Sequence, residues 1–148
     1  MSAAGDGPAV LRIERTFDAP AGKVFEAWTS PEVLRRWWHA VHSWETPLAE
    51  VDPRVGGAIR LIMRNPADGT AYAGRGEYTL FDPPRRLAFT WAWESEPSAR
   101  QLIEVEFIDH GERTTVVLTN AGLAEAEKDD YRDGWQNAFD NLEVALAG

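Results

Sequence analysis

The chain has 148 residues, 44% of them hydrophobic, which is enough for one domain to bury about two thirds of the surface that its unfolded chain exposes. Its 15 Lys and Arg against 24 Asp and Glu give a net charge of -9. Such a charge repels phosphate backbones and anionic membrane surfaces, so we expect no nucleic-acid partner. The absence of cysteine excludes disulfides and thiolate metal sites and fits a reducing cytoplasm, where we expect the protein. Its apolar runs are too short to cross a bilayer, so no membrane insertion is expected.

The chain begins with a short tail and a first strand. Residues 1–8 are small, Gly-rich and polar, so we expect a disordered tail, and we assign residues 9–148 to a single domain. Leu11, Ile13 and Phe17 alternate with polar residues and predict a strand with one buried face.

Two short helices are predicted next. Pro20 starts the first one, because a proline at the first helical position loses no hydrogen bond there. Ser30 followed by Pro31 marks the start of the second, which we expect to end at Trp37 and Trp38.

From Trp44 onward the pattern is that of about six strands joined by short turns. Turn residues at 66–69 and 82–84 separate successive strands, and such short connections favour an antiparallel meander. The last two strands are predicted at Leu102 to Ile108 and at Thr114 to Thr119. A long helix follows, with an acidic start at 125–130 that suits the positive end of its dipole.

Two bulky apolar faces dominate the second half of the chain. One strand presents Leu87, Phe89, Trp91 and Trp93 on one side, and the last helix presents Tyr131, Trp135, Phe139 and Leu142 on one stripe. Such faces either pack into a solid core or enclose an apolar cavity. Periodicity alone favours the solid core, because it reports burial and not function.

A set of short motifs in a fixed order narrows the choice. The motifs are Ile13-x-Arg15-x-Phe17-x-Ala19-Pro20, Val24-Phe25-x-Ala27-Trp28, Trp37-Trp38, Asp52-x-Arg54-x-Gly56-Gly57, Gly76-x-Tyr78, Pro84-x-Arg86-Leu87-x-Phe89-Thr90-Trp91 and Gly134-Trp135. Together they resemble the Activator of Hsp90 ATPase homologue 1-like family of the START-like (SRPBCC, Bet v 1-like) superfamily. The resemblance implies an α+β helix-grip fold, in which a curved antiparallel sheet of about seven strands wraps around a long C-terminal helix.

The resemblance also implies a cavity, because in this fold the last helix usually stands off the sheet. On this basis the expected ligand-binding residues are Trp38, His39, Met63, Tyr78, Phe89, Trp91, Trp93, Trp135 and Phe139. The expected ligand is a small hydrophobic or aromatic molecule, since few polar residues fall on the inward positions.

Two polar residues are weak candidates for catalysis. His39 lies in the Trp-rich segment where the cavity mouth is expected, and an imidazole can transfer protons near pH 7. Tyr78 shares its strand face with Gly74 and Gly76, which leave space, so its hydroxyl is expected either to face a ligand in the cavity or to bond to the protein's own backbone. Neither a carboxylate pair nor a Ser-His-acid arrangement is recognisable, so binding is preferred over catalysis.

Several other polar groups are assigned structural roles. On a helix, the spacing of His39 and His42 would allow both imidazoles to bind one metal ion. Two histidines this close in a loop commonly occur without binding a metal, so neither a metal nor a cofactor is expected. Asp52 and Arg54 are expected to shape a turn at the paired glycines. Cross-strand charge pairs on the solvated sheet face are expected between Glu77 and the arginines Arg60, Arg64 and Arg75, and His110 is read as a solvated turn residue.

Three functions remain open at this point. The first is binding of the small hydrophobic or aromatic molecule. The alternative is an enzyme that works in the same cavity, such as a polyketide cyclase, dehydratase or hydrolase. The third is a protein-interaction module resembling the Hsp90 activator, and a homodimer is compatible with each of the three.

Overall fold

The computed structural model describes residues 9–147, so the tail predicted at 1–8 lies outside the described residues. Within this range, seven strands and three helices follow one another along the chain. They are β1 (Ala9–Phe17), α1 (Ala21–Thr29), α2 (Pro31–Trp37), β2 (Glu45–Val51), β3 (Ala58–Arg64), β4 (Ala71–Asp82), β5 (Arg86–Trp93), β6 (Gln101–Asp109), β7 (Thr114–Leu123) and α3 (Lys128–Ala147). A 3-10 turn over Glu125–Glu127 leads into α3.

The strands form one antiparallel sheet in the order β1-β7-β6-β5-β4-β3-β2. β1 and β2 are the edge strands and are joined through α1 and α2, while the six strands from β2 to β7 form a meander. α3 packs against β1 and α2. This is the α+β helix-grip architecture, and the fold prediction is confirmed. No helix within residues 9–147 is long and apolar enough to cross a membrane.

Local sequence signals account for the two short helices. Pro20 is the residue just before α1 and not its first residue, a shift of one position from the prediction. Ser30 caps α2 as expected, because its hydroxyl accepts from the amide of Val33 at 3.5 Å. A side-chain cap of this kind stabilises a helix by about 1 kcal/mol.

The turn between β2 and β3 requires the residues that were assigned to it. A Cβ on Gly57 would lie 1.9 Å from the carbonyl oxygen of Asp52, so only glycine fits where the chain folds back. Arg54 Nε donates to Asp52 Oδ2 at 2.8 Å. The architectural role predicted for this segment is confirmed.

The inward face of the sheet consists of rows of directly opposed residues. One row is entirely apolar and contains Ile13, Leu118, Val105 and Leu87. The adjacent row contains Leu11, Asn120, Ile103 and Phe89, so an amide replaces one apolar side chain. The next position along β5 and β6 pairs Trp91 with Gln101. Two buried amides therefore lie together at this end of the inward face, whereas at the other end the hydroxyl of Thr114 is bonded to the carbonyl of Ala19.

The outward face of the sheet carries the predicted arginines, but their carboxylate partners differ from the predicted one. Arg60 Nε donates to Glu94 Oε2 at 2.6 Å, and Arg75 Nε donates to the same carboxylate at 3.2 Å. These hydrogen bonds, chiefly the one from Arg60, lower the pKa of Glu94 to about 2. Glu77 was the predicted partner, and that prediction is wrong, because the arginines reach the end of β5. Arg64 instead pairs with Glu45, at 2.7 Å from Nε.

Candidate functional site

A pocket of about 240 Å³ lies between the N-terminal half of α3 and the sheet. Its lining comes from the sheet, from α3 and from the loop after α2: Trp38, His39, Ala40, Met63, Trp91, Trp93, Gln101, Ile103, Asn120, Asp130, Tyr131, Gly134, Trp135 and Ala138. The strand residues at one end are buried, whereas Asp130 at the other end is exposed. The pocket therefore extends from the sheet surface to solvent.

Three indoles form one wall of the pocket, two from β5 and one from the end of α2. Trp91 packs edge-on against Trp38 and Trp93, with ring centroids 5.1 and 5.4 Å apart. Trp91 has room because of Gly74 on the neighbouring strand, where a Cβ would lie 2.1 Å from the indole ring. Large rigid rings of this kind provide apolar surface with little conformational entropy to lose.

Small residues keep α3 close to the loop after α2 and leave the pocket open beneath them. A Cβ on Gly134 would lie 3.1 Å from the Cβ of Ala40, so the helix and the loop are already in close contact. Asn137 Nδ2 donates to the carbonyl of Ala40 at 2.9 Å and fixes this contact. The side chain of Ala138 is too short to fill the space below the helix.

Five pocket-lining side chains form one continuous hydrogen-bonded chain. Trp135 Nε1 donates to Asn120 Oδ1 at 3.0 Å, and Asn120 Nδ2 donates to Gln101 Oε1 at 2.9 Å. Gln101 Nε2 then donates to the hydroxyl oxygen of Tyr131 at 3.1 Å. Trp93 Nε1 donates to the same oxygen at 2.7 Å. We call these five residues the indole-amide chain.

The direction of every bond in the indole-amide chain is fixed by its two indoles. An indole N–H only donates, so the oxygen of Asn120 must face Trp135 and its NH₂ must face Gln101. The same reasoning turns the Gln101 oxygen toward Asn120 and its NH₂ toward Tyr131. Tyr131 therefore accepts two hydrogen bonds at the end of the chain.

His39 adds a second polar group to the lining, with a defined tautomer. The hydroxyl of Thr46 donates to the carbonyl of Trp38, so it can only accept from His39 Nδ1, which lies 3.1 Å away. Nε2 is then the acceptor nitrogen of a neutral imidazole. Burial lowers the pKa of His39, and the nearby charge of His42 lowers it further while Glu45 opposes the shift. The neutral form is accordingly favoured at pH 7.

The other two histidines have separate partners. His42 Nε2 lies 3.1 Å from Asp140 Oδ2 on α3, and His110 Nε2 lies 2.9 Å from Thr115 Oγ1. His39 and His42 thus contact different residues. Across the part of the chain that the structure describes, no three His, Asp or Glu side chains are grouped to hold a metal.

The structure brings together six of the nine residues predicted to bind a ligand. Those lining the pocket are Trp38, His39, Met63, Trp91, Trp93 and Trp135. Tyr78, Phe89 and Phe139 lie outside it. Phe139 packs edge-on against Phe17 at 5.6 Å, deeper in the core. Ligand binding by the six remains a prediction.

Tyr78 is kept out of the pocket by its neighbours. The space beside Gly74 is filled by the Trp91 ring, and a Cβ on Gly76 would lie 1.7 Å from the carbonyl oxygen of Thr90. Tyr78 is 2% exposed and packs edge-on against Phe81 at 5.2 Å. Burial raises its pKa to about 12, with a smaller contribution from Asp52, so the phenol is a weak acid for chemistry near pH 7.

Sequence reasoning found His39 but missed the other polar groups of the site, Gln101, Asn120 and the hydroxyl of Tyr131. A usable signal existed for the two amides. Gln101 has the strand parity of inward-facing Ile103, and Asn120 has the parity of Leu118. An amide on an apolar strand face needs a buried partner or a ligand.

The fold and this pocket define a helix-grip protein of the START-like class. Residues 18–147 match the family described as "Activator of Hsp90 ATPase homolog 1-like protein". The chain belongs to this family, as the motifs predicted.

Relatives and solved structures agree with this assignment. The Activator of 90 kDa heat shock protein ATPase homolog 1 of Mus musculus is 23% identical over 130 residues, which cover 87% of this chain and 34% of the relative. The chain therefore spans about a third of the length of the curated relatives it matches. The crystal structure of the AHSA1 protein from Silicibacter pomeroyi is similar with a TM-score of 0.81 at 25% identity, covering 94% of this chain and 98% of that one. An uncharacterized protein from Rhizobium leguminosarum has a TM-score of 0.79 at 28% identity and covers 95% of both chains.

Proposed function

We propose that the pocket binds one small hydrophobic or aromatic molecule. The observation that carries this proposal is the wall of four indoles, from Trp38, Trp91, Trp93 and Trp135, around a space of about 240 Å³. Apolar walls with a few convergent polar groups are typical of small-molecule sites. Burying an aromatic guest against indole rings supplies binding free energy by desolvation and by ring contacts.

The packing of the walls supports a preformed site. Trp91 and Trp38 are both nearly fully buried, and the loop carrying Trp38 is held to α3 by Asn137 and Asn141 through the carbonyls of Ala40 and Trp37. A guest then loses little free energy to ordering the protein.

The test is a fluorescence titration of the whole chain with naphthalene derivatives, indoles, aromatic ketones and medium-chain fatty acids. The pocket holds four of the seven tryptophans, so a guest in it should quench a large share of the emission in a saturable way. Native mass spectrometry of the same mixtures should show one guest per chain. Linear quenching with every compound and no bound mass would refute the proposal.

His39 supports a second candidate function, an enzyme that uses the same pocket. Its neutral Nε2 is an acceptor next to the guest space, as a general base requires. Tyr78, the other residue predicted as a catalytic candidate, is outside the pocket. Tyr131 is therefore the hydroxyl that shares the pocket lining with His39. If any compound is turned over, His39→Asn should lower kcat by 10²- to 10⁴-fold while binding persists. Unchanged kcat would remove this function.

The named activity of the relatives supplies a third candidate, stimulation of an Hsp90 ATPase. It is the least supported here, since the chain covers about a third of those relatives. An ATPase assay with purified Hsp90 tests it directly, and stimulation by the chain alone would place it first. We also propose that the protein is cytoplasmic and that it can form a homodimer. Sedimentation equilibrium tests the homodimer.

A further inference from the structure

We propose that the guest is a molecule with a neutral carbonyl group, whose oxygen accepts a hydrogen bond from the hydroxyl of Tyr131. This inference rests on the proposed binding function and specifies the chemistry of the guest. It follows from the indole-amide chain, which ends on Tyr131 with its bond directions fixed.

The hydroxyl of Tyr131 has one hydrogen to donate and two lone pairs that accept. Trp93 Nε1 at 2.7 Å and Gln101 Nε2 at 3.1 Å use both lone pairs. The hydroxyl hydrogen must therefore point to a third partner. Among residues 9–147, no acceptor receives it. Because Tyr131 lines the pocket, a guest that carries an acceptor can receive it.

The rest of the indole-amide chain has the same imbalance. Asn120 is fully buried, and both its oxygen and one N–H are used by Trp135 and Gln101. The second N–H of Asn120 and the second N–H of Gln101 meet no acceptor in the described part of the chain. This end of the pocket thus offers donors and needs an acceptor. A hydrocarbon guest would leave these donors unpaired, which is unfavourable for each one that is buried.

Charge decides that the acceptor is neutral. The exposed carboxylate of Asp130 lies on the rim of the pocket, and the whole chain has a net charge of -9. No Lys or Arg is among the lining residues. Moving a carboxylate from water into apolar walls with only neutral donors is unfavourable, because the charge loses its hydration and meets no cation. A ketone, ester or amide carbonyl avoids this cost while filling the same position.

The experiment compares three probes of nearly the same shape: 2-acetylnaphthalene, 2-ethylnaphthalene and 2-naphthoate. The first two differ only in a carbonyl against a methylene group, so apolar burial is almost equal. Affinities are measured by fluorescence titration with the native chain, with Tyr131→Phe and with Tyr72→Phe. Tyr72 is the matched control, because its exposed ring stacks on Trp44 and does not line the pocket.

Tyr131→Phe should lower the affinity ratio of ketone to hydrocarbon about tenfold, the value of one hydrogen-bond partner lost by a buried carbonyl. Tyr72→Phe should leave the ratio unchanged. Naphthoate should bind the native chain more weakly than the ketone. The affinity for 2-ethylnaphthalene shows in each variant that the pocket is still folded.

The possible failures are distinguishable. An unchanged ratio in Tyr131→Phe, or tighter binding of naphthoate than of the ketone, overturns the neutral-carbonyl assignment while the binding function stands. Failure of the native chain to bind either uncharged probe overturns both. If Tyr131→Phe does not fold, the infrared stretch of the ketone bound to the native chain decides: it should lie below its value in hexane, and an unshifted band overturns the assignment.

Discussion

The two ends of the interface between α3 and the sheet are built from similar residues and packed in opposite ways. At the solid end, Phe139 and Leu142 have no exposed surface, and Phe139 contacts the rings of Phe17 and Trp28. At the open end, one to two turns earlier on the same helix, Tyr131 and the residues around it border the pocket. An apolar stripe of one periodicity therefore borders both a solid core and a pocket.

The difference lies in the small and polar residues between the large ones. At the solid end, the rings of Phe17 and Trp28 pack against Phe139 and fill the space beside the helix. The open end has Gly134 and Ala138 on the helix and Asn120 on the sheet. Small side chains leave volume, and the amide must be hydrogen-bonded wherever it is buried. A cavity in this fold is thus specified by what interrupts the aromatic pattern, more than by the aromatic residues.

Trp135 is the boundary between the two ends. One face of its indole stacks on Trp28 at 6.0 Å, and its N–H donates to Asn120 in the pocket wall. A change at either end should reach the other through this ring.

The largest effect is expected from truncating the solid end. Phe139→Ala removes a fully buried ring that its neighbours cannot replace, and should lower the free energy of unfolding by about 3–5 kcal/mol. Met63→Ala at the open end should cost less than half as much, because that half-buried side chain already borders empty space. Urea unfolding of the two variants makes the comparison, and equal losses would mean that the two ends are not packed differently.

A smaller loss is expected from breaking the indole-amide chain. Asn120→Leu keeps the shape but leaves the N–H of Trp135 and the oxygen of Gln101 without partners, so the free energy of unfolding should fall by about 2 kcal/mol. Asn141→Leu is the control, since its amide is half-buried and makes a single bond of 3.4 Å. It should cost under about 1 kcal/mol. A native-like or higher stability for Asn120→Leu would show that the indole-amide chain does not stabilise the fold.

Asn120 also shows what the sequence could and could not predict. The element order, the sheet direction and the apolar inward face followed from turn residues and alternation, which are local properties. The strand containing Asn120 was predicted only over the β-branched run from Thr114 to Thr119. In the structure it continues to Leu123, since Asn120 is paired on both sides, with Leu11 and Ile103.

The same limit explains the other missed residues. Gln101 lies one position before the predicted start of its strand. Gln101 and Asn120 were therefore both missed because they lie near strand ends, where local sequence signals are weakest. The hydroxyl of Tyr131 was counted as part of an apolar stripe, because its donors Trp93 and Gln101 are 38 and 30 residues away in sequence. Tyr78 was misplaced for a related reason: the space left by glycine is filled by Trp91 from a neighbouring strand.

Filling the open end should weaken binding without harming the fold. Ala138→Leu adds three carbons beneath α3 and should weaken the binding of 2-acetylnaphthalene at least tenfold, which corresponds to about 1.4 kcal/mol. Ala147→Leu, at the exposed end of the same helix, is the matched control and should bind normally. Both variants should unfold at or above the native urea midpoint. Undiminished binding by Ala138→Leu would place the guest outside the pocket.

The smallest effect is a pH dependence carried by His39. Its pKa in the folded protein is lowered by burial, whereas in the unfolded chain it titrates near 6.5. Below pH 6.5 the unfolded chain therefore binds more protons, so stability is complete above this pH and is lost as the pH falls toward the folded pKa. One proton limits the slope to about 1.4 kcal/mol per pH unit.

His39→Asn isolates this contribution, because its amide can still donate to Thr46 but does not titrate. The native chain should lose stability relative to this variant when urea midpoints are compared between pH 7 and pH 5. Glu94 and Asp140, whose carboxyl pKa values are also lowered, lose their stabilising effect only below about pH 4.5, and equally in both proteins. Parallel curves from pH 7 to 5 would mean that the imidazole can be protonated within the folded protein at little cost. Water would then reach His39 in the open end as freely as it does in the unfolded chain. The contrast with the solid end would then be limited to the indole wall formed by Trp38, Trp91 and Trp93.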